Sequence, residues 1–417
     1  MSRARAQRMK RGTVGCPLAQ DLGGPDLGGK RSSLAKILRK YPTPLFVGEA
    51  RILRDRFLAM RRSLTAHWPK HAIAYSFKTN YQVAKSKILQ GLGAWAEVVS
   101  GREYRMARRL GYAGENIVFN GPWKTDAQLR AALRDGALVN VNDGEELARV
   151  ASIAARASCP CPIGIRVSSA IDGLPPSRFG FSIDRGEAEQ AIAIIHESRN
   201  LRLAGLHMHL SGEIDDPDWY REGLRRLAGL LRQSVPGYRT SLRYIDVGGG
   251  FPAHMSRPAG RADWSPRPID EYIKAIAGVL KESFPSGKKP TLILEPGRYL
   301  ANDGIVFISR VANVRTCAGT QTITSNGSTT MVPVMRDRPA IVRALTPELL
   351  PRTAGPRPSV IHGSSCREDD VLFEGEFPRV EVGDFLAHYS AGAYNSSLSP
   401  AFIFAPPPLR FLEHDRS

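Results

Sequence analysis

Residues 72–80 read Ala-Ile-Ala-Tyr-Ser-Phe-Lys-Thr-Asn, a short apolar run that ends on a lysine. Seven more runs of this kind follow, at 96–100, 116–120, 138–142, 163–169, 203–210, 243–249 and 291–297. Their starts lie about 31 residues apart, close to the roughly 30 residues that a strand, a crossover helix and a returning strand need. Between the runs, segments such as 101–110, 126–134 and 186–198 carry apolar residues at helical spacing. Eight such units closing on themselves make a (β/α)8 barrel of about 250 residues, so the fold class is α/β.

Beyond residue 300 the rhythm changes. β-branched runs at 305–314, 330–334, 340–344, 358–361, 384–389 and 401–404 are broken by Gly, Pro and Asn, with no long amphipathic helix among them. That pattern predicts a C-terminal all-β domain. The stretch 44–47 is also strand-like, so the β domain is expected to draw on both ends of the chain. The expected organisation is a mobile basic tail at 1–32, a segment at 33–48 that packs with the β domain, a barrel at 49–300, and the β domain at 301–417. A Pro-rich loop, 252–268, follows the seventh barrel strand.

The chain has 417 residues and a net charge of +18. Ten basic residues stand against Asp21 and Asp26 in the first forty. Aromatic residues do not interleave with the basic ones and no nucleic-acid motif appears, so the charge does not predict nucleic-acid binding. It suits an acidic substrate or partner better. No apolar run is long enough to span a bilayer, and no secretory h-region opens the chain. The five cysteines, Cys16, Cys159, Cys161, Cys317 and Cys366, have no zinc spacing, and no metal is expected. A cytoplasmic protein with reduced thiols is the simplest expectation.

Reactive groups of a barrel sit at the C-terminal ends of its strands. Lys78 ends the first strand. Partial desolvation there would favour an amine that condenses with an aldehyde, although a surface lysine capping the next helix fits too. The seventh strand ends in Gly248-Gly249-Gly250, which lets backbone N–H groups approach an anion such as phosphate, or simply makes a tight turn. The eighth ends in Glu295-Pro-Gly297-Arg298. Arg298 suits a phosphate, and Glu295 suits a protonated ring nitrogen; an internal Glu295–Arg298 salt bridge is the alternative. The sixth carries His207-Met-His209, with both histidines on one face. They suit a zinc pair, a flat ring against a flat cofactor, or, for His207, the core. A phosphate site, a partner for an aromatic nitrogen and an aldehyde-accepting amine in one mouth point to pyridoxal 5'-phosphate.

The chain resembles the fold-type III pyridoxal-phosphate decarboxylases, the group of the diaminopimelate, ornithine and arginine decarboxylases, over roughly residues 40–400. The resemblance rests on eight motifs in order: Tyr-Ser-Phe-Lys78-Thr-Asn, Glu97-Val-Val-Ser100-Gly-Arg-Glu103, Ser177-Arg178-Phe179-Gly180, His207-Met-His209, Gly248-Gly249-Gly250, Glu295-Pro-Gly297-Arg298, Cys366 with Asp370, and Gly392-Ala-Tyr394. It implies that Lys78 carries the cofactor covalently, with Glu97 and Gly297 in the same site. It implies further that His209 stacks on the ring and that Glu295 meets the ring nitrogen. Gly248, Gly249, Gly250, Ser211, Arg298 and Tyr394 are implied at the phosphate. Cys366 would come from the other subunit of a homodimer with shared active sites and protonate Cα. Glu295 also argues for decarboxylation over racemisation, because the related racemases place an arginine at that nitrogen.

Three departures bear on the substrate. The residue after the cysteine, usually acidic in this group, is Arg367; the alternative is that Arg367 points to solvent and Glu368 or Asp369 takes the acid's role. The Arg-Pro-x-Leu-Tyr segment of diaminopimelate decarboxylases reads Arg338-Pro-Ala-Ile-Val342, without the tyrosine. The loop after His209 reads Leu-Ser211-Gly212, where Gly usually precedes Ser, so Ser211 either reaches the phosphate from a shifted loop or does not reach it. An acid-to-Arg change is worth several kcal/mol against a distal ammonium at an effective dielectric of about 20. The expectation is therefore an amino-acid substrate or conjugate with an anionic distal group, met by Arg298, Arg338, Arg367, Asp370 and Tyr394, in specialised-metabolite or siderophore synthesis. Diaminopimelate or ornithine/lysine decarboxylation is the alternative, and a non-catalytic regulatory homologue the alternative of another class.

Overall fold

Eight parallel strands close into a barrel in the computed structural model, which describes residues 27–254, 266–285, 288–337, 341–353 and 355–412. After β1 (Leu45–Gly48), the barrel strands are β2 (His71–Ser76), β3 (Trp95–Val98), β4 (Ile117–Phe119), β5 (Leu138–Val141) and β6 (Cys161–Ser168). A two-residue strand β7 (Phe181–Ser182) pairs only with β6, and β8 (Leu201–His207), β9 (Tyr244–Asp246) and β10 (Thr291–Leu294) complete the ring. The pairing of β5 with β6 closes it. All eight expected strands are present.

Three of the crossover helices start where the sequence supplies a side-chain cap. Ser100 Oγ accepts from the Glu103 N–H, and the Glu103 carboxylate accepts in return from Val99 N–H. Thr125 and Gln128 form the same reciprocal box at Asp126–Arg134, and Asp143 accepts from Glu146 N–H at Gly144–Ala154. These bonds satisfy the orphan N–H groups of a first turn. The Ser100…Glu103 motif is thus a helix start that fixes where β3 ends.

The remaining strands are β11 (Ile305–Cys317), β12 (Thr320–Ser325), β13 (Val342–Leu345), β14 (Arg357–His362), β15 (Val371–Phe377), β16 (Phe385–His388) and β17 (Leu409–Phe411). They form a sheet in the order β13-β16-β11-β12-β14-β15, with β1 paired to β11 and β17. The register sets Leu45 opposite Ile308 and Phe46 opposite Leu409. Phe46, Phe307, Ile323, Ile361 and Leu386 are buried together in its core. The described residues divide into two compact units. One runs to Leu53 and takes in Ala253–Pro266 and everything from Leu300; the other holds Arg54–Pro252 and Arg267–Tyr299.

Several expectations need correction. The segment 330–334 is not a strand. Ser328 Oγ accepts from Thr330 N–H, and Pro333 opens a short helix, Pro333–Asp337. Local hydroxyl bonds and a proline at the first helical position outcompete the β-branched pattern there. The segment 401–404 joins no ladder, and Ile403 has φ 52°. Strand β12 was missed because it is rich in Thr and Gln; β15 was missed because Glu374 and Glu376 interrupt it. Leu27 is buried with Leu34, Leu45 and Leu412 and a helix begins at Arg31, so residues 27–32 pack into the β unit. Residues 1–26 lie outside the described residues, as do Cys16 and 255–265 of the Pro-rich loop.

Candidate active site

The strand ends of the barrel bring the predicted groups of this unit together. Lys78 sits in a 3-10 turn, Phe77–Thr79, directly after β2. Its amine lies 2.6 Å from Glu97 Oε2 at the end of β3. Ser76 Oγ donates to the same oxygen at 2.6 Å. β10 runs beside β2, and Pro296 O accepts from Ser76 N–H. A Cβ at Gly297 would lie 2.2 Å from Thr79 Oγ1, so only glycine lets the Glu295–Arg298 loop lie against the lysine turn.

Glu295 is buried and accepts from Asn120 Nδ2 at 2.6 Å. Burial, with Asp246 and Glu97 close by, pushes its carboxyl well above the usual range. Burial also raises Asp246 at the end of β9. His207 is buried with Nε2 3.6 Å from Glu295 Oε2, and neither of its ring nitrogens has a hydrogen-bond partner among the described residues. His207, Asp246 and Glu295 each bring one donor atom within 4.8 Å of the others. Arg166, on β6, balances this acidic group through its charge interactions with Glu295, Glu97 and Asp246, and lies 4.7 Å from the Phe179 ring centroid.

The glycine loop after β9 wraps His209. Gly249 N–H donates to His209 Nδ1 at 3.0 Å, and Gly248 N–H donates to Asp246 Oδ1 at 2.9 Å. Two of the three N–H groups expected to face an anion are therefore engaged inside the loop. A Cβ at Gly249 would stand 2.4 Å from Glu295 O, which leaves the cradle to glycine. Burial and the nearby cations Arg166, Lys78 and Arg298 pull His209 down to about 3, so its ring is neutral at pH 7. Arg298 donates to Gly212 O at 2.5 Å and pairs with Glu213 at 3.2 Å, while Ser211 Oγ accepts from Glu213 N–H at 3.5 Å. Arg298 thus pairs with Glu213, whereas Glu295 is bonded through Asn120.

Residues 51–302 match the model of the family described as pyridoxal-dependent decarboxylase, pyridoxal binding domain. The chain belongs to the pyridoxal-dependent decarboxylases. These are carboxy-lyases that work with pyridoxal phosphate, of the fold-type III group. The diaminopimelate decarboxylase of Aquifex aeolicus is 30% identical over 393 residues, covering 90% of this chain and 87% of that one. The diaminopimelate decarboxylase of Pseudomonas aeruginosa is 29% identical over 382 residues, covering 88% and 86%. The crystal structure of AQ1208 from Aquifex aeolicus superposes with a TM-score of 0.77 at 26% identity, covering 91% and 89%.

The residues present fit the cofactor. A half-exposed amine is held by a buried acid, a second buried acid lies beside it, and two positions of the cradle exclude any Cβ. Sequence reasoning gave Asn120, Arg166 and Asp246 no role. Arg166 is the lone charge in the apolar run Ile163-Gly-Ile-Arg-Val167, which was the available signal.

The other predicted residues belong to the β unit. Cys366 is exposed, and Arg367 forms a two-pronged ion pair with Asp369, both contacts 2.9 Å. Tyr394 has φ 62°, and its turn is held by Asn302, whose O and Oδ1 accept from Gly392 and Ala393 N–H. Asp370 needs correcting as a substrate ligand. It is buried and accepts from Ser328 Oγ, Thr329 N and Oγ1, and Ser365 N–H. Its oxygens are spent on holding the loop that carries Cys366. Arg338 lies outside the described residues. No helix among the described residues is long and apolar enough to cross a membrane.

Proposed function

We propose that this decarboxylase removes the α-carboxylate of a diamino acid of the diaminopimelate type, with ornithine and lysine as the nearest alternatives. The observation that carries the reading is the Lys78–Glu97 pair beside Glu295 in one barrel mouth, in a chain whose curated relatives are diaminopimelate decarboxylases over nearly their whole length. The expectation of an anionic distal group rested on the charge of Arg367 and on the missing tyrosine of the Arg338 segment, of which Arg338 lies outside the described residues. The Arg367 guanidinium is paired with Asp369, two residues further along, so its charge is balanced within its own loop. A metabolite or siderophore role has no support among the relatives.

Bound here, pyridoxal phosphate supplies an aldehyde for an amine and a ring that draws off the electron pair left when CO2 departs. Lys78 is the amine that holds it, and Glu97 orients Lys78. Glu295 holds the proton on the ring nitrogen. A positive partner favours the carboxylate, so cofactor binding would pull Glu295 back from its raised value. Neutral His209 offers a flat, uncharged face to the ring. Gly248, Gly249, Gly250, Ser211 and Arg298 hold the phosphate; this requires the Gly248 and Gly249 N–H groups to leave Asp246 and His209, and Arg298 to exchange Glu213 for the phosphate. Cys366 Sγ, exposed on its own unit, delivers a proton to Cα in the site of a second copy, which makes the working form a homodimer.

The test is CO2 release and product analysis with meso-diaminopimelate, ornithine, lysine and an acidic conjugate. Turnover of meso-diaminopimelate at least tenfold faster than of the acidic conjugate supports the reading. The reverse order restores the anionic substrate.

A further inference from the structure

A file of buried polar side chains crosses the barrel interior beneath Glu295. Tyr244 is the first residue of β9, packed among Ala72, Ala74, Val118, Ala204 and Ile293. Its hydroxyl donates to Asn140 Oδ1 at 2.7 Å. Asn140 Nδ2 donates to Asn120 Oδ1 at 2.9 Å. Asn120 Nδ2 then donates to Glu295 Oε1 at 2.6 Å and to Glu97 Oε1 at 3.2 Å. All five residues are buried.

We propose that Tyr244 is a positioning residue for the cofactor site: through Asn140 it fixes the amide of Asn120 so that its NH2 faces Glu295 and Glu97. This rests on the reading that Glu295 meets the ring nitrogen. The direction of the file follows from donor and acceptor counts. With the cofactor bound, Glu295 is an ionised carboxylate that only accepts, so Asn120 must turn its NH2 to the acids. Its carbonyl then faces Asn140, which must present its own NH2. That leaves the Asn140 carbonyl needing a donor, and in a buried site the phenol is that donor. Burial raises Tyr244 above its usual range, which keeps its proton in place.

The barrel is built around this ring. A Cβ at Gly164 would lie 2.0 Å from the Tyr244 hydroxyl, and one at Gly205 would lie 2.5 Å from its ring. Two glycines thus accommodate a tyrosine where aliphatic side chains normally fill such an interior. Removing the hydroxyl leaves a buried carbonyl unpaired, which frees Asn140 and then Asn120 to turn over. A turned Asn120 would set its oxygen against two acids.

The experiment compares Tyr244→Phe, Asn140→Asp, Glu295→Gln and the Tyr244→Phe/Glu295→Gln double variant. The readouts are the Kd of the apoprotein for pyridoxal phosphate, the visible absorption band of the bound cofactor, and kcat and KM apart. Tyr244→Phe should raise Kd and lower kcat about tenfold each, the worth of one buried hydrogen bond, shift the band as Glu295→Gln does, and hold KM within twofold. In the Glu295→Gln background it should add nothing. Asn140→Asp keeps the side-chain size, loses the donor to Asn120, and should change Kd and band in the same direction; it decides the matter should Tyr244→Phe fail to fold. A wild-type band and Kd in Tyr244→Phe, or full additivity in the double variant, overturns the inference. A Glu295→Gln variant with unchanged band and Kd would instead sink the ring-nitrogen reading itself.

Discussion

Lys78 and Glu97 lie 2.6 Å apart, the amine half exposed and the carboxylate wholly buried. The acid comes from the strand next to the lysine's own, in the register Ser76 opposite Glu97. The sheet pairing therefore sets the distance, and the Ser76 hydroxyl fixes the carboxylate rotamer. An amine aimed in this way pays less of its own conformational entropy on reaction.

Glu97→Gln keeps the size of the side chain and removes its charge. The variant should fold normally by circular dichroism and lose about tenfold in kcat/KM, a magnitude discounted for the solvent that reaches Lys78. Steady-state kinetics on the holoprotein check this. Unchanged kinetics would mean that Glu97 does not orient the lysine.

Asp370 should prove structural. Asp370→Asn keeps the shape but confronts the Ser365 and Thr329 N–H donors with a weaker acceptor and an extra NH2. A loss of about 1–2 kcal/mol in urea unfolding is expected, along with faster alkylation of Cys366 as its loop loosens. A change confined to substrate KM would return Asp370 to the substrate.

Acid should destabilise the protein through its buried histidines. Burial pulls His388 in the β unit down to about 3, as it does His209 in the barrel together with nearby cations. An unfolded histidine titrates near 6.5, so between about 6.5 and 3 the unfolded chain binds the extra proton. Stability contributed by each neutral ring is complete above pH 6.5 and falls by at most about 1.4 kcal/mol per pH unit below it. Thermal unfolding at pH 7 and pH 5 checks the sign. His388→Asn should shrink the difference; an equal difference in the variant would clear His388.

The barrel was legible because β strands buried on both sides read as apolar runs, and eight of them recurred at one spacing. Lys78 and Glu295 were legible because each stands at the end of such a run, whereas Glu97 was legible only through the family motif Glu97-Val-Val-Ser100. Asn120 closes a run and Asp246 precedes the glycines of another, but an amide or acid at a strand end has too many ordinary explanations to mark it. The file from Tyr244 to Glu295 was hidden, since its members are up to 175 residues apart and only barrel closure aligns them. In the β domain, β12 and β15 are held by ladder bonds and alternation more than by hydrophobicity, and the 328–337 segment follows local hydroxyl and proline chemistry.

The most direct test is mass spectrometry of the holoprotein after borohydride reduction and digestion. The pyridoxyl group is predicted on the peptide that contains Lys78 and on no other lysine, with Lys78→Ala losing both the adduct and the visible absorption. An adduct on another side chain, or a catalytically active protein with none, would contradict the account.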